Sequence, residues 1–355
     1  MPLRLRLTML LISLSTMGSF AQTIYRVQAG QSLPNALTLA AAGDIIYVDG
    51  GIYGNITLSK KVILIGTGYF GAGNTASPTE AKLGTVQFAA GSEGSVIMGF
   101  VADNINVGTS TITVARNRVD GHIWVGYSGL GNYGWGGPSV NNVVVKQNYV
   151  DDELIASNDY NGTNTVSNFS FRNNIVRAGF ASGGRVSGEY VNNTFGYKFD
   201  NGRLVTDTGV SGGGTCKLQS AIQYKNNIMT QVPAGGCFVN DASLLPPVFI
   251  GNVGVTVSTP GNTVLTTVQR DNLFVGWPTQ TGTTISQDAR SQLKAGSVAL
   301  TGGEGGTQAG AFGGDDPYVL GGIPFVPTIT QLTVLPLTVT QNGTLNVTVK
   351  AQTNN

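Results

Sequence analysis

An all-β fold, and within that class a right-handed single-stranded parallel β-helix, is predicted by three observations on this sequence. Only 11% of the 355 residues are charged, while 41% are hydrophobic and 51 are glycine. That balance excludes a coiled coil, a charge-rich disordered chain and an ordinary helical domain. A short apolar strand followed by polar positions and an Asn recurs seven times: TVARNRV at Asn117, VVKQNYV at Asn148, SFRNNIV at Asn174, EYVNNTF at Asn193, QYKNNIM at Asn227, VFIGNVG at Asn252 and VQRDNLF at Asn272. Successive copies lie 31, 26, 19, 34, 25 and 20 residues apart, a variable period that suits a solenoid and falls short of the roughly 40 residues of a propeller blade. No strand of this length buries a face alone, so stacking the copies in parallel is what supplies a continuous interior. Asn suits the bend because it tolerates left-handed backbone angles, and stacked amides can hydrogen-bond from copy to copy.

Residues 1–21 read as a signal peptide. Arg4 and Arg6 precede an apolar run interrupted by hydroxyl residues, and Ala21 is the small residue before a cleavage ahead of Gln22. No stretch reaches the roughly 18 apolar residues of a membrane span, so a secreted or cell-surface protein without a span is expected. Residues 22–42 hold a first strand and then a segment in which Leu33, Ala36, Leu37 and Ala40 share one helical face. Residues 43–300 form the β-helix, with a short helical stretch at 287–295 placed to cap its open end. Residues 301–322 are Gly-rich and read as a linker. In the tail, residues 323–355, TQLTVL and LNVTVK alternate as strands flanking Asn342-Gly343, a turn pair. That tail either docks back on the solenoid or supplies strands to another protein chain. Cys216 and Cys237 lie about one short coil apart, and export to an oxidising compartment makes them a disulfide or, failing that, two buried thiols.

Composition also narrows function. With 20 basic and 19 acidic residues, no overall field attracts nucleic acid or anionic lipid. One His and two Cys are too few for a zinc cluster, and any Ser/His/Asp triad would have to use His122.

The segment GDIIYVDGGIYGNITLSKKVILIGTGYF, residues 43–70, together with the Asn copies, resembles the secreted parallel β-helix proteins of the pectin-lyase-like superfamily. The resemblance implies that residues 32–42 form a capping helix. Its enzymes' motifs are largely missing: no Arg stands two residues before a Pro, and no adjacent Asp pair or Gly-His-Gly is seen in sequence near His122.

Four constellations are candidates for chemistry. Three positions after the Asn, the first three copies carry Asp120, Asp151 and Arg177, which a solenoid would stack about 4.8 Å apart. Asp152 and Glu153 add acid beside them, and a hard cation such as Ca²⁺ would relieve the repulsion; a hydrated turn is the simpler reading. By the resemblance, Asp120, Asp151 and Asp152 would hold Ca²⁺ against a substrate carboxylate and Arg177 would take the proton from C5 of a uronate. Two positions before the Asn, Lys146, Arg172, Lys225 and Arg270 form a basic column, which suits an acidic polysaccharide or simply protects exposed strands. Between Asn117 and Asn148 a Gly-rich insertion carries Trp124, Tyr127, Tyr133 and Trp135, either an open platform for sugar rings or a lid folded on the solenoid. His122 is a candidate general base lying close to both features, or an ordinary hydrogen-bonded loop residue. The expected function is a carbohydrate-interacting β-helix, non-catalytic or weakly catalytic, with a polysaccharide or cell-surface glycan as partner. A Ca²⁺-dependent lyase is the alternative.

Overall fold

The computed structural model describes residues 22–71, 79–127, 137–156, 164–177, 179–182, 185–196, 198–200, 203–205, 222–230, 248–254, 261–276, 285–335 and 343–353. The expected signal peptide, the loop aromatics Tyr133 and Trp135, and the pair Cys216 and Cys237 lie outside those residues.

Two long parallel sheets dominate. The first runs in strict chain order from Ile24–Val27 and Ile45–Val48, through Thr113–Ala115, Val144–Lys146 and Thr165–Arg172, to Ile222–Lys225 and Val248–Ile250. Between most successive strands the chain crosses over to the second sheet and returns to lay the next strand parallel on the last, an all-β arrangement compatible with a parallel β-helix. The second sheet forks. The strand Val101–Val107 pairs along its first part with Arg118–Val119 and along its second with Ile123–Val125. Tyr149–Val150 and Glu153–Ala156 repeat that division one copy later, so a corner separates two short strands in each of these copies.

Alternation along the strands builds the core. In the first sheet Val114, Val145, Phe171, Tyr190 and Tyr224 stand opposite one another in register and are fully buried, each such side chain contributing about 1.5–3 kcal/mol. Tyr190 and Tyr224 stack with centroids 5.1 Å apart and planes at 3°. Between the first two strands lies the helix Leu33–Leu39, with Ser32 Oγ accepting the Asn35 N–H and Leu33 and Leu37 buried.

The repeated Asn forms one hydrogen-bonded ladder. Asn117, Asn148, Asn174, Asn193, Asn227 and Asn252 are all fully buried. Each side-chain oxygen from Asn148 onward accepts both the backbone N–H and the amide Nδ2–H of the preceding Asn, at 2.9–3.2 Å. At the head of the ladder the Phe100 N–H donates to Asn117 Oδ1. Two expectations are corrected here. The left-handed backbone belongs to the residue before each ladder Asn, namely Arg116, Gln147, Asn173, Asn192, Asn226 and Gly251, with φ between 52° and 62°. Asn272 stands outside the ladder, at the C-cap of the helix Thr267–Asp271, and Asn262 takes the next place by accepting from Asn252.

The Gly-rich segment expected to be a linker is instead a strap that runs back along the Asn ladder, from Asn226 to Arg116. The left-handed residues turn their side chains outward, and these hold it. Asn226 Oδ1 accepts the Glu304 N–H at 2.7 Å, Asn173 Nδ2 donates to Ala311 O and Gly313 O, Gln147 Nε2 to Pro317 O at 2.6 Å, and Arg116 Nη1 to Ile323 O at 2.8 Å. Glycine is needed for close approach: at Gly322 (φ 57°) a Cβ would overlap the Tyr69 ring, and at Gly314 (φ 76°) the Asn192 amide. Residues 287–295 divide between two places: Leu293 packs on Val253, Leu265 and Leu273 at the last rungs, with Gln292 O accepting from the Val275 N–H at 2.8 Å, while Gln287 and Asp288 reach the strap and earlier copies. Gln287 Oε1 accepts from Tyr149 OH at 3.1 Å, and buried Asp288 accepts from the Gly321 N–H at 2.7 Å and from Tyr318 OH at 3.2 Å. Together these segments bury the outward residues of the first short-strand column, including Val101, Tyr149 and Ile175.

The tail is an antiparallel hairpin of Thr328–Leu335 with Asn346–Gln352. Leu335 faces Asn346, and Asn342 of the expected turn lies outside the described residues.

Candidate functional site

The strap covers one of the two short-strand columns, and the corner beyond it stays accessible. Backbone bonds run there from Asp120 N–H to Ala102 O, from Asp151 N–H to Val119 O and from Arg177 N–H to Val150 O, at 2.8–2.9 Å. With the parallel register this stacks Asp120, Asp151 and Arg177 in one column, as the Asn alignment predicts. Asp103 occupies the same position one copy earlier, with the Gly121 N–H donating to its carbonyl. Aligning on Asn misses it because Phe100 stands where the Asn would be; three residues after Phe100 is the signal that finds it. At Gly121 a Cβ would lie 2.6 Å from Asp103 O, so only glycine lets the corner close.

Arginines neutralise part of this column. Arg118 Nε lies 2.7 Å from Asp120 Oδ1 and Arg177 Nη1 2.6 Å from Asp151 Oδ1. Burial pushes the Asp120 carboxyl above the ordinary aspartate range; Arg118 pulls it back, and the Asp151 and Asp103 charges add to the rise. For Arg177 burial works against the charge, but Tyr149 and the bond and charge of Asp151 outweigh it and hold the guanidinium above its ordinary value. A guanidinium so held is a poor proton acceptor, which opposes the base role that the resemblance implies.

Asp152 turns away from that column. Its Oδ2 lies 3.3 Å from His122 Nε2, a contact made by stacking across a gap of 30 residues that hides it in sequence, while the adjacent Asp151 faces Arg177. Burial lowers the His122 pKa against the opposing pull of Asp152, which favours the neutral ring. The three carboxylates expected to share Ca²⁺ are therefore divided between Arg118, Arg177 and His122.

Trp124 lies on a strand and not in a loop. Within Ile123–Val125 the flanking residues are buried and Trp124 points outward, half-buried, which places it as part of a surface and not as a lid. Its ring centroid is 5.2 Å from His122 and 5.1 Å from Tyr127, with planes tilted by 35° and 32°. The three rings form a continuous slab beside the carboxylates.

The basic column is engaged internally. Lys146, Arg172 and Lys225 do align, with Val191 between the last two. Lys146 Nζ pairs with Asp316 Oδ2 of the strap at 2.6 Å, Lys225 pairs with Glu304 of the strap, and Arg172 with Glu189 of the next copy. Arg270 is outside the column, on the helix Thr267–Asp271.

No protein-family model, no curated protein and no solved structure matches this chain. Among the described residues, no helix is long and apolar enough to cross a membrane.

Proposed function

We propose that the chain is a secreted or cell-surface right-handed parallel β-helix, of the pectin-lyase-like kind, that binds a neutral glycan at the corner around Trp124. The observation that carries this reading is the outward, half-buried Trp124 aligned with His122 and Tyr127 next to carboxylates. Sugar rings present C–H faces that stack on such a slab, while carboxylates accept from sugar hydroxyls. An acidic chain fits less well. Asp103, Asp120, Asp151, Asp152 and Glu153 outnumber Arg118 and Arg177 at this corner, and the cations that would attract a polyanion pair with Asp316, Glu189 and Glu304.

A second reading is favoured by one observation. Asp120 is raised by burial with Arg118 only partly opposing it, and it stacks in register beside Asp151, so two neighbouring carboxyls stand at an accessible corner, as the acid and base of glycoside hydrolysis require.

One panel tests both. Retention on immobilised polysaccharides, with Ca²⁺ or with a chelator, is expected for neutral polymers in either condition, and release of reducing ends from a retained polymer would add hydrolysis. Retention confined to uronate polymers in Ca²⁺, with ultraviolet absorbance of an unsaturated product, would overturn the proposal in favour of a lyase.

A further inference from the structure

We propose that His122, Asp152 and Glu153 form a binding site for a divalent transition-metal ion of the Zn²⁺ and Co²⁺ class. One donor atom from each of the three lies within 4.8 Å of the others, and His122 Nε2 stands 3.3 Å from Asp152 Oδ2. Donors on one tetrahedral ion with bonds of about 2.0–2.2 Å are separated by roughly 3.4 Å, so the closest pair already has the required spacing.

The backbone fixes this set. Ile123 and Leu154 are partners in register, which puts the preceding residues, His122 and Glu153, at neighbouring positions of adjacent strands. His122 is anchored on both sides, its N–H donating to Asn104 Oδ1 at 2.9 Å and its carbonyl accepting from the Ile105 N–H at 3.0 Å. Asp152 completes the set from the corner itself. Neither Asp120 nor Asp151 competes for the ion, since each faces an arginine at 2.6–2.7 Å.

Donor chemistry selects the metal. An imidazole nitrogen with two carboxylates suits Zn²⁺, Co²⁺ or Mn²⁺, whereas Ca²⁺ takes six to eight oxygens and gains little from nitrogen. The site thus differs in both ligands and ion from the Asp120, Asp151 and Asp152 set expected for Ca²⁺. His122 and Asp152 keep 28% and 43% of their side-chain surface exposed, which leaves room for further ligands from solvent. With the Trp124 and His122 ring centroids 5.2 Å apart, an ion on the imidazole lies near enough to the indole for its fluorescence to report binding.

The test uses the full chain and no glycan, so its failure is separate from failure of the glycan reading. Co²⁺ binding is measured by equilibrium dialysis and, in parallel, by quenching of tryptophan fluorescence. One Co²⁺ per chain is expected, displaced by Zn²⁺ and not by an equal concentration of Ca²⁺. His122→Ala and Asp152→Asn should each weaken binding by about tenfold or more, with unchanged circular dichroism confirming that the variants are folded. Trp124→Phe should keep the dialysis stoichiometry and lose most of the quenching. Absence of stoichiometric binding, equal displacement by Ca²⁺, or Co²⁺ affinity unchanged in folded His122→Ala and Asp152→Asn would overturn the proposal.

Discussion

Replacing Asn174 by Ala is expected to lower the unfolding free energy by about 3–5 kcal/mol. The side chain sits in the middle of the ladder with no exposed surface. Its oxygen accepts from the backbone and side-chain amides of Asn148 at 3.0 Å, and its own amide donates to Val145 O and Asn193 Oδ1 at 2.9 Å. Truncation leaves several buried polar groups without a partner, at about 1–3 kcal/mol each, in a place where neighbouring strands restrict entry of water. Asn141→Ala serves as the control, because Asn141 is exposed on a strand and its side chain accepts from the neighbouring surface amide of Asn142. Denaturant unfolding decides the matter: a loss at Asn174 no larger than at Asn141 would mean that the ladder does not stabilise the fold.

Asp288→Ala should have an effect of similar size, again about 3–5 kcal/mol, with a distinct structural signature. The carboxylate is fully buried and accepts from Ala289 N–H at 2.9 Å, Gly321 N–H at 2.7 Å and Tyr318 OH at 3.2 Å. Three donors lose their acceptor at once. Tyr318 also bonds Tyr69 at 2.7 Å, so the change undermines the point where the strap meets the early strands. Limited proteolysis should then cut within residues 302–325 while the two sheets stay protected. Asp288→Asn retains an acceptor oxygen and should lose less. Cleavage spread evenly along the variant would contradict a role confined to holding the strap.

Much of the fold is legible in the sequence because one physical requirement repeats. Each copy must bury a strand and satisfy its bend, and the Asn that does the second recurs visibly, so six of the seven copies take their places in the ladder. The seventh misleads because VQRDNLF matches the pattern while Thr266 and Gln269 form a capping box, and the helix they start takes precedence. The strap is misread for a similar reason. Glycine serves flexible linkers and close backbone approach equally well, and only the partners of Gly314 and Gly322, Asn192 and Tyr69, tell the two apart.

At the site, stacking could be foreseen but pairing could not. Asp120, Asp151 and Arg177 follow from their common offset, yet nothing in the spacing shows that Arg118 turns to Asp120 or that Asp152 turns to His122. The basic column is a real alignment of Lys146, Arg172 and Lys225. Its counter-charges Asp316 and Glu304 come from a segment more than 75 residues further along the chain, beyond the reach of any local pattern.

Where a polysaccharide binds is settled most directly by comparing two surface changes on one retained polymer, with circular dichroism to verify folding. On the present account Trp124→Ala removes a stacking surface worth about 1.4 kcal/mol or more and weakens retention by about tenfold or more, while the double change Lys146→Ala with Lys225→Ala leaves retention within about twofold, since both amines are held by the strap and an exposed pair is worth at most about 1 kcal/mol. Strong loss in the lysine variant with full retention in Trp124→Ala would place the glycan on the basic column and contradict the account.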